Sequence, residues 1–175
     1  MPELHCTCGK VRLDIERAPI IVAECHCTSC RTAAAALETL PGLPRFREDN
    51  GGTPFVLYRK DRVRFREGAQ LLVEHRLSPS SKTRRVVASC CNTPVFLEFQ
   101  SGHWLSLYSC MWPSGTAPAV QLRTMTSDLP DPSVLPDDVP NRKTQSASFF
   151  AKLLGAWIAM GFRSPKIPVA GTLEL

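Results

Sequence analysis

The chain has 175 residues, 43% hydrophobic and 21% charged, with a formal net charge of +5. That length suffices for one domain that buries most of its apolar surface, and the composition excludes wholesale disorder, collagen-like repeats and coiled coil. Eight cysteines are the outlying count, too sparse for a disulfide-stapled mini-protein and too dense for incidental core thiols.

The opening residues, Met1-Pro2-Glu3-Leu4-His5-Cys6, show no basic stretch followed by an apolar one. No secretory leader is expected, and the expected compartment is the reducing cytoplasm. Residues 4–15 alternate as a strand with Val11, Leu13 and Ile15 on one face, and residues 20–24 form an apolar run that leads into Cys25. Residues 32–40 are alanine-rich and read as a short helix or buried turn, closed by Pro41-Gly42. After the Gly51-Gly52 turn, strands are expected at 55–58 and across Arg62, Arg64 and Arg66, which alternate with Val63 and Phe65 to give a basic outer face. Further strands are expected at 70–77, 85–88, 95–99 and 104–108.

Residues 113–140 carry six of the fifteen prolines, which predicts an extended surface connector, because proline removes ladder donors. Residues 144–162 predict a helix capped by Ser146, with Phe149, Phe150, Leu153, Leu154, Trp157 and Ile158 at helical spacing. It is expected to cover a sheet face, and its wide apolar arc also suits a homodimer contact or a lid. The most membrane-like stretch, 148–162, is broken by Lys152 and two glycines and is shorter than the roughly 20 residues of a spanning helix. No membrane partner is expected.

Seven cysteines fall in three clusters: Cys6 and Cys8; Cys25, Cys27 and Cys30; Cys90 and Cys91. In a reducing compartment such clusters read as metal ligands before disulfides. Residues two apart on an extended segment share a face, so Cys6 and Cys8 can aim two thiolates at one ion, with Gly9 folding the chain back. That pair is half of a tetrahedral thiolate site. Cys25, Cys27 and Cys30 supply three thiolates from six residues and leave a fourth position open, as catalytic zinc sites do. Redox chemistry at Cys27 and Cys30 lacks the surrounding βαβ pattern of a thioredoxin-like site. Cys110 reads as a small core hydrophobe. His26 lies between two ligands of the triplet and reads either as a proton shuttle at the open metal or as a ring that faces away to a backbone hydrogen bond; alternation favours the second.

Cys6-x-Cys8-Gly9, then Cys25-His26-Cys27-x-x-Cys30, then Cys91-Asn92-Thr93-Pro94 with Val95-Phe96, resembles the glutathione-dependent formaldehyde-activating enzyme family over residues 4–110. The resemblance implies a mainly β fold, a β-tent of folded antiparallel sheets, joined here to a C-terminal helix. The chain reads as a single domain over 1–175, with a zinc-binding core at 4–112, a Pro-rich connector at 113–142 and the helix at 143–163, the last two not explained by the family motifs. The resemblance implies a structural zinc on Cys6, Cys8 and Cys91, and a second, open metal site on Cys25, Cys27 and Cys30. The activity implied is condensation of formaldehyde with glutathione to S-hydroxymethylglutathione, a carbon–sulfur lyase reaction in reverse. The family's Cys-x-x-Cys-Gly-Thr-Pro is altered in this chain: Ala88 replaces the first cysteine and Asn92 the glycine. Cys90 is the expected substitute ligand if the backbone turns there, and Asn92 and Pro94 favour that turn; His5 or a water is the alternative. A non-catalytic, zinc-stabilised binding module is the other reading of the same cysteines.

Between Tyr58 and Arg85, nine Lys or Arg stand against three Asp or Glu, a local balance of +6. Arg84 and Arg85, near the last cysteines, are the candidates for an anionic substrate such as glutathione or another small thiol. Arg62, Arg64 and Arg66 read as a solvated strand face. Nucleic acid is not expected, since interleaved exposed aromatics are lacking and the basicity is mild.

Overall fold

The computed structural model describes residues 3–175; Met1 and Pro2, the start of the stretch read for a leader, lie outside them. Leu4 and Leu13 are partners in an antiparallel hairpin of β1 (Glu3–His5) and β2 (Arg12–Ile15). The 4–15 stretch is therefore two strands, not one, and it folds back at Gly9, whose φ of +75° a side chain would strain. β3 (Ile21–Cys25) delivers the chain to α1 (Thr28–Leu37). That helix begins ahead of its expected start at 32 because Cys27 caps it, its Sγ accepting from the Cys30 N–H at 3.3 Å. Ser, Thr, Asp and Asn are the usual caps, so a thiol in that role leaves no ordinary start signal.

The next six strands follow the expected apolar runs: β4 (Thr53–Arg59), β5 (Val63–Glu67), β6 (Leu72–His75), β7 (Thr83–Ala88), β8 (Thr93–Phe99) and β9 (Trp104–Tyr108). In β5, Val63 is buried while Arg64 and Arg66 are exposed, as the alternation requires. The Pro-rich stretch is not purely a surface connector. It contains β10 (Leu122–Thr124), which pairs in parallel with β3 and buries Arg123 and Thr124. α2 (Ala147–Ala159) starts at the expected cap, with Ser146 Oγ accepting from the Phe149 N–H at 3.2 Å. β11 (Gly171–Thr172) adds to β6.

Three strands form one sheet in the order β1-β2-β5, and eight form another in the order β10-β3-β4-β9-β8-β7-β6-β11. Successive residues of β4 alternate between two cores. Val56 and Tyr58 pack with Leu4, Leu13 and Ile15 of the small sheet, whereas Phe55 and Leu57 pack with Ala34 and Leu37 of α1 and Phe149 and Leu153 of α2. A strand buried on both faces favours a continuous apolar run, as at 55–58 in β4 and 95–97 in β8, while β3 buries Glu24 among its apolar residues. The fold is mainly β, with a helix near its C-terminus. Among the described residues, no helix is long and apolar enough to cross a membrane.

The basic middle of the chain is largely neutralised by carboxylates. Arg59 pairs with Asp61, Lys60 with Glu98, Arg66 with Asp14, Arg76 with Glu74, and Arg84 with both Glu74 and Glu98.

Candidate metal centres

The β1–β2 loop and the β7–β8 turn approach each other, bringing together four thiols 82 to 85 positions apart in sequence. The Sγ atoms of Cys6, Cys8, Cys90 and Cys91 all lie within 4.8 Å of one another. Cys6 to Cys8 is 3.7 Å, Cys6 to Cys90 3.8 Å, Cys8 to Cys90 3.4 Å and Cys90 to Cys91 3.8 Å. A tetrahedral zinc with Zn–S bonds of about 2.3 Å has S···S edges of about 3.8 Å, so the donor set fits a thiolate-bound metal in both chemistry and size.

The turn that lets two adjacent cysteines face one point is present. The Cys91 and Asn92 N–H groups both donate to the Ala88 carbonyl, at 3.2 and 2.8 Å, and Asn92 adopts φ 59°. Thr93 binds the two segments to each other, its Oγ1 accepting from the Thr7 N–H at 3.0 Å and lying 3.1 Å from Cys91 Sγ. Burial raises the Cys91 thiol, but the Thr93 hydroxyl and nearby backbone N–H groups outweigh it and bring the thiol down to about 6. Burial raises Cys6 and Cys90. His5 stays outside the group, with Nδ1 3.1 Å from the Cys6 carbonyl oxygen.

The second cluster sits where β3 meets the N-terminus of α1. The Sγ atoms of Cys25, Cys27 and Cys30 lie within 4.8 Å of one another, and this all-thiol set also fits a soft, thiolate-binding metal. Hydrogen bonds from Cys25 and Cys30 pull Cys27 down to about 3, helped by the Cys30 N–H and the charge of Arg85. The same bond to Cys27 raises Cys25. A bond from Cys25 lowers Cys30, but Cys27 and burial prevail and push it up to about 12. A bound cation would favour the thiolate form of all three.

All three thiols line a cavity of about 390 Å³, with walls from the large sheet (Phe55, Leu97, Trp104) and from α2 (Phe149, Phe150, Leu153). α2 is therefore both a cover for the sheet and a wall of this site. Arg85 reaches it and donates through Nη2 to the Ser29 carbonyl and hydroxyl, at 3.1 and 2.8 Å. Arg84 does not. It is the neighbour of Arg85 on β7, so it points to the other face and is held by Glu74, Glu98 and the Ile167 carbonyl. His26 turns away from the triplet as alternation predicts, but its partner is a carboxylate and not backbone: Nε2 lies 2.8 Å from Glu24 Oε1. Cys110 is half-buried, its Sγ 3.5 Å from the Pro94 carbonyl oxygen.

Sequence reasoning did not place Ser29 or Trp104 at the site. The apolar arc of residues 149–153 was a signal for a buried face, without indicating which face it covers.

A model of the family described as glutathione-dependent formaldehyde-activating enzyme (GFA) matches residues 1–110. Among solved structures, a Rhodobacter sphaeroides protein is similar at a TM-score of 0.48 and 15% identity, covering 80% of this chain and 99% of its own. No curated protein matches.

Proposed function

The chain belongs to the glutathione-dependent formaldehyde-activating enzyme family, and from that premise we propose that it is a zinc-dependent carbon–sulfur lyase working at Cys25, Cys27 and Cys30. In this reading Cys6, Cys8, Cys90 and Cys91 hold a separate structural zinc. The observation that carries the proposal is that all three triplet thiols line a cavity large enough for a small molecule. A zinc bound by three thiolates keeps one position for a ligand and supplies Lewis acidity to a carbonyl oxygen or a seat for a substrate thiolate.

A thiol adds to formaldehyde when the carbon–sulfur bond forms, the carbonyl π bond opens and the sulfur's proton passes to oxygen. Lyase cleavage runs these changes backward. The residues of the chain serve this chemistry by position. Cys27 caps the N-terminus of α1, where hydrogen bonds from Cys25 and Cys30, then the Cys30 N–H and Arg85, favour its thiolate form. Phe149 and Leu153 are buried and keep bulk water from the reacting sulfur. Arg85 places positive charge beside the cluster and offsets the thiolates that would hold the metal.

The test is elemental analysis of the purified chain with a formaldehyde condensation assay over a panel of thiols that includes glutathione. Two zincs per chain, and turnover that falls to background in Cys27→Ser, are the expected result. Protein carrying two zincs that turns over no thiol in the panel is the non-catalytic binding module and refutes the proposal.

A further inference from the structure

Three cations are buried among the described residues: Lys60, Arg85 and Arg123. Lys60 pairs with Glu98, and Arg123 with Glu24 and Asp138. Arg85 is 1% exposed and has no carboxylate partner among the described residues. Besides its bonds to Ser29, it makes a long contact to Thr83 Oγ1 at 3.4 Å. A buried cation without a counter-charge is strongly unfavourable. The counter-charge at hand is the thiol cluster, because Ser29, which accepts from Arg85, stands between Cys27 and Cys30. A dication with three thiolates carries one net negative charge, and Arg85 matches it. The site balanced in this way offers the cavity no spare charge.

The rest of the lining agrees. Among the described residues, no Asp, Glu, Lys or Arg other than Arg85 faces the cavity. Its body is formed by Phe55, Leu97 and Trp104 on one side and by Phe149, Phe150 and Leu153 on the other. Glutathione carries two carboxylates and an ammonium group, and beside Arg85, already engaged by Ser29, the lining offers them only the neutral side chains of Ser29, Thr83, Ser106, Thr124 and Gln145. An alkyl or aromatic thiol needs no such partners and buries apolar surface. The α2 wall also lies beyond the residues 1–110 that the family model matches, so this part of the cavity belongs to the chain's own extension.

We infer that the cavity selects a small uncharged thiol with an apolar body, and that α2 is the element that selects it. The inference rests on the lyase reading for the identity of the reacting group, while the selectivity stands on the lining itself. Binding to the zinc-loaded full chain is measured by calorimetry with benzyl mercaptan and with glutathione. Benzyl mercaptan is expected to bind at least about tenfold more tightly. Phe150→Asp puts a charge on the α2 wall at a side chain that is half exposed, so the fold tolerates it. It is expected to weaken benzyl mercaptan by at least about tenfold, with Phe149→Ala weakening benzyl mercaptan as well. Equal or tighter binding of glutathione, or unchanged binding of benzyl mercaptan in both variants, overturns the inference. Selective binding of benzyl mercaptan without turnover supports the selectivity and removes the lyase reading. Glutathione condensation as fast as that of benzyl mercaptan does the reverse.

Discussion

Cys90 stands one residue from Cys91, where the family pattern would place a ligand at 88, so replacing it tests how the four-thiol cluster closes. Its Sγ lies 3.8, 3.4 and 3.8 Å from those of Cys6, Cys8 and Cys91, on the edges of a tetrahedron sized for zinc. The free energy of about 10–16 kcal/mol typical of small structural zinc sites, shared over four ligands, assigns about 3 kcal/mol to one thiolate. Cys90→Ser should therefore weaken zinc at this cluster by about 100-fold or more. The measurement is competition with a chromogenic chelator, made in a Cys27→Ser background so that the four-cysteine site dominates the signal. The loop and turn are joined through this cluster, so thermal stability should fall together with zinc affinity. Unchanged affinity in Cys90→Ser, or a comparable loss in His5→Ala instead, would refute the closure by Cys90.

Gly68 has φ +74°, and a Cβ there would lie 2.2 Å from the Lys10 carbonyl oxygen, on the backbone that follows the Cys6–Cys8 loop. Gly68→Ala should cost at least about 2–3 kcal/mol by urea unfolding, and a loss within experimental error would show that the loop yields freely. Glu98 is buried against both Lys60 and Arg84, so Glu98→Gln strands Lys60, while Arg84 keeps Glu74, and should cost about 3–5 kcal/mol; a neutral result would mean that water reaches the pair. Burial pushes His103 below its ordinary value of 6.5, and Lys60 and Arg59 push the same way against the Leu153 carbonyl, which accepts from Nε2 at 2.8 Å. The unfolded chain then binds this proton more tightly than the folded one. The stability that this group contributes to the folded chain is fully present above about pH 6.5 and is lost as the pH falls toward the depressed folded value. Urea unfolding of the wild type and of His103→Gln at about pH 7.5 and 5.5 should show this, and an equal difference between them at both would count against it.

The strands at 55–58, 85–88, 95–99 and 104–108 were readable because a strand buried on one or both faces writes its burial into adjacent residues. The same holds for the helix after Ser146, whose cap and apolar spacing are local. The start of α1 was not readable, since its cap is a thiol. β10 was not either: three residues in a Pro-rich stretch become a strand only through pairing with β3, about a hundred positions earlier.

The sequence by itself determined that seven cysteines form clusters with metal-ligand spacing, because ligands two or three residues apart are positioned by local backbone geometry. Tertiary structure decided what those clusters meet. It turned the chain at Asn92 so that Cys90 joins Cys6, Cys8 and Cys91, and it sent Arg85 to the triplet while Arg84 went to Glu74 and Glu98. It also laid α2 across the large sheet to wall the cavity in front of Cys25, Cys27 and Cys30. Each of these depends on contacts between residues far apart in the chain, and a partner that distant leaves no periodicity in either segment.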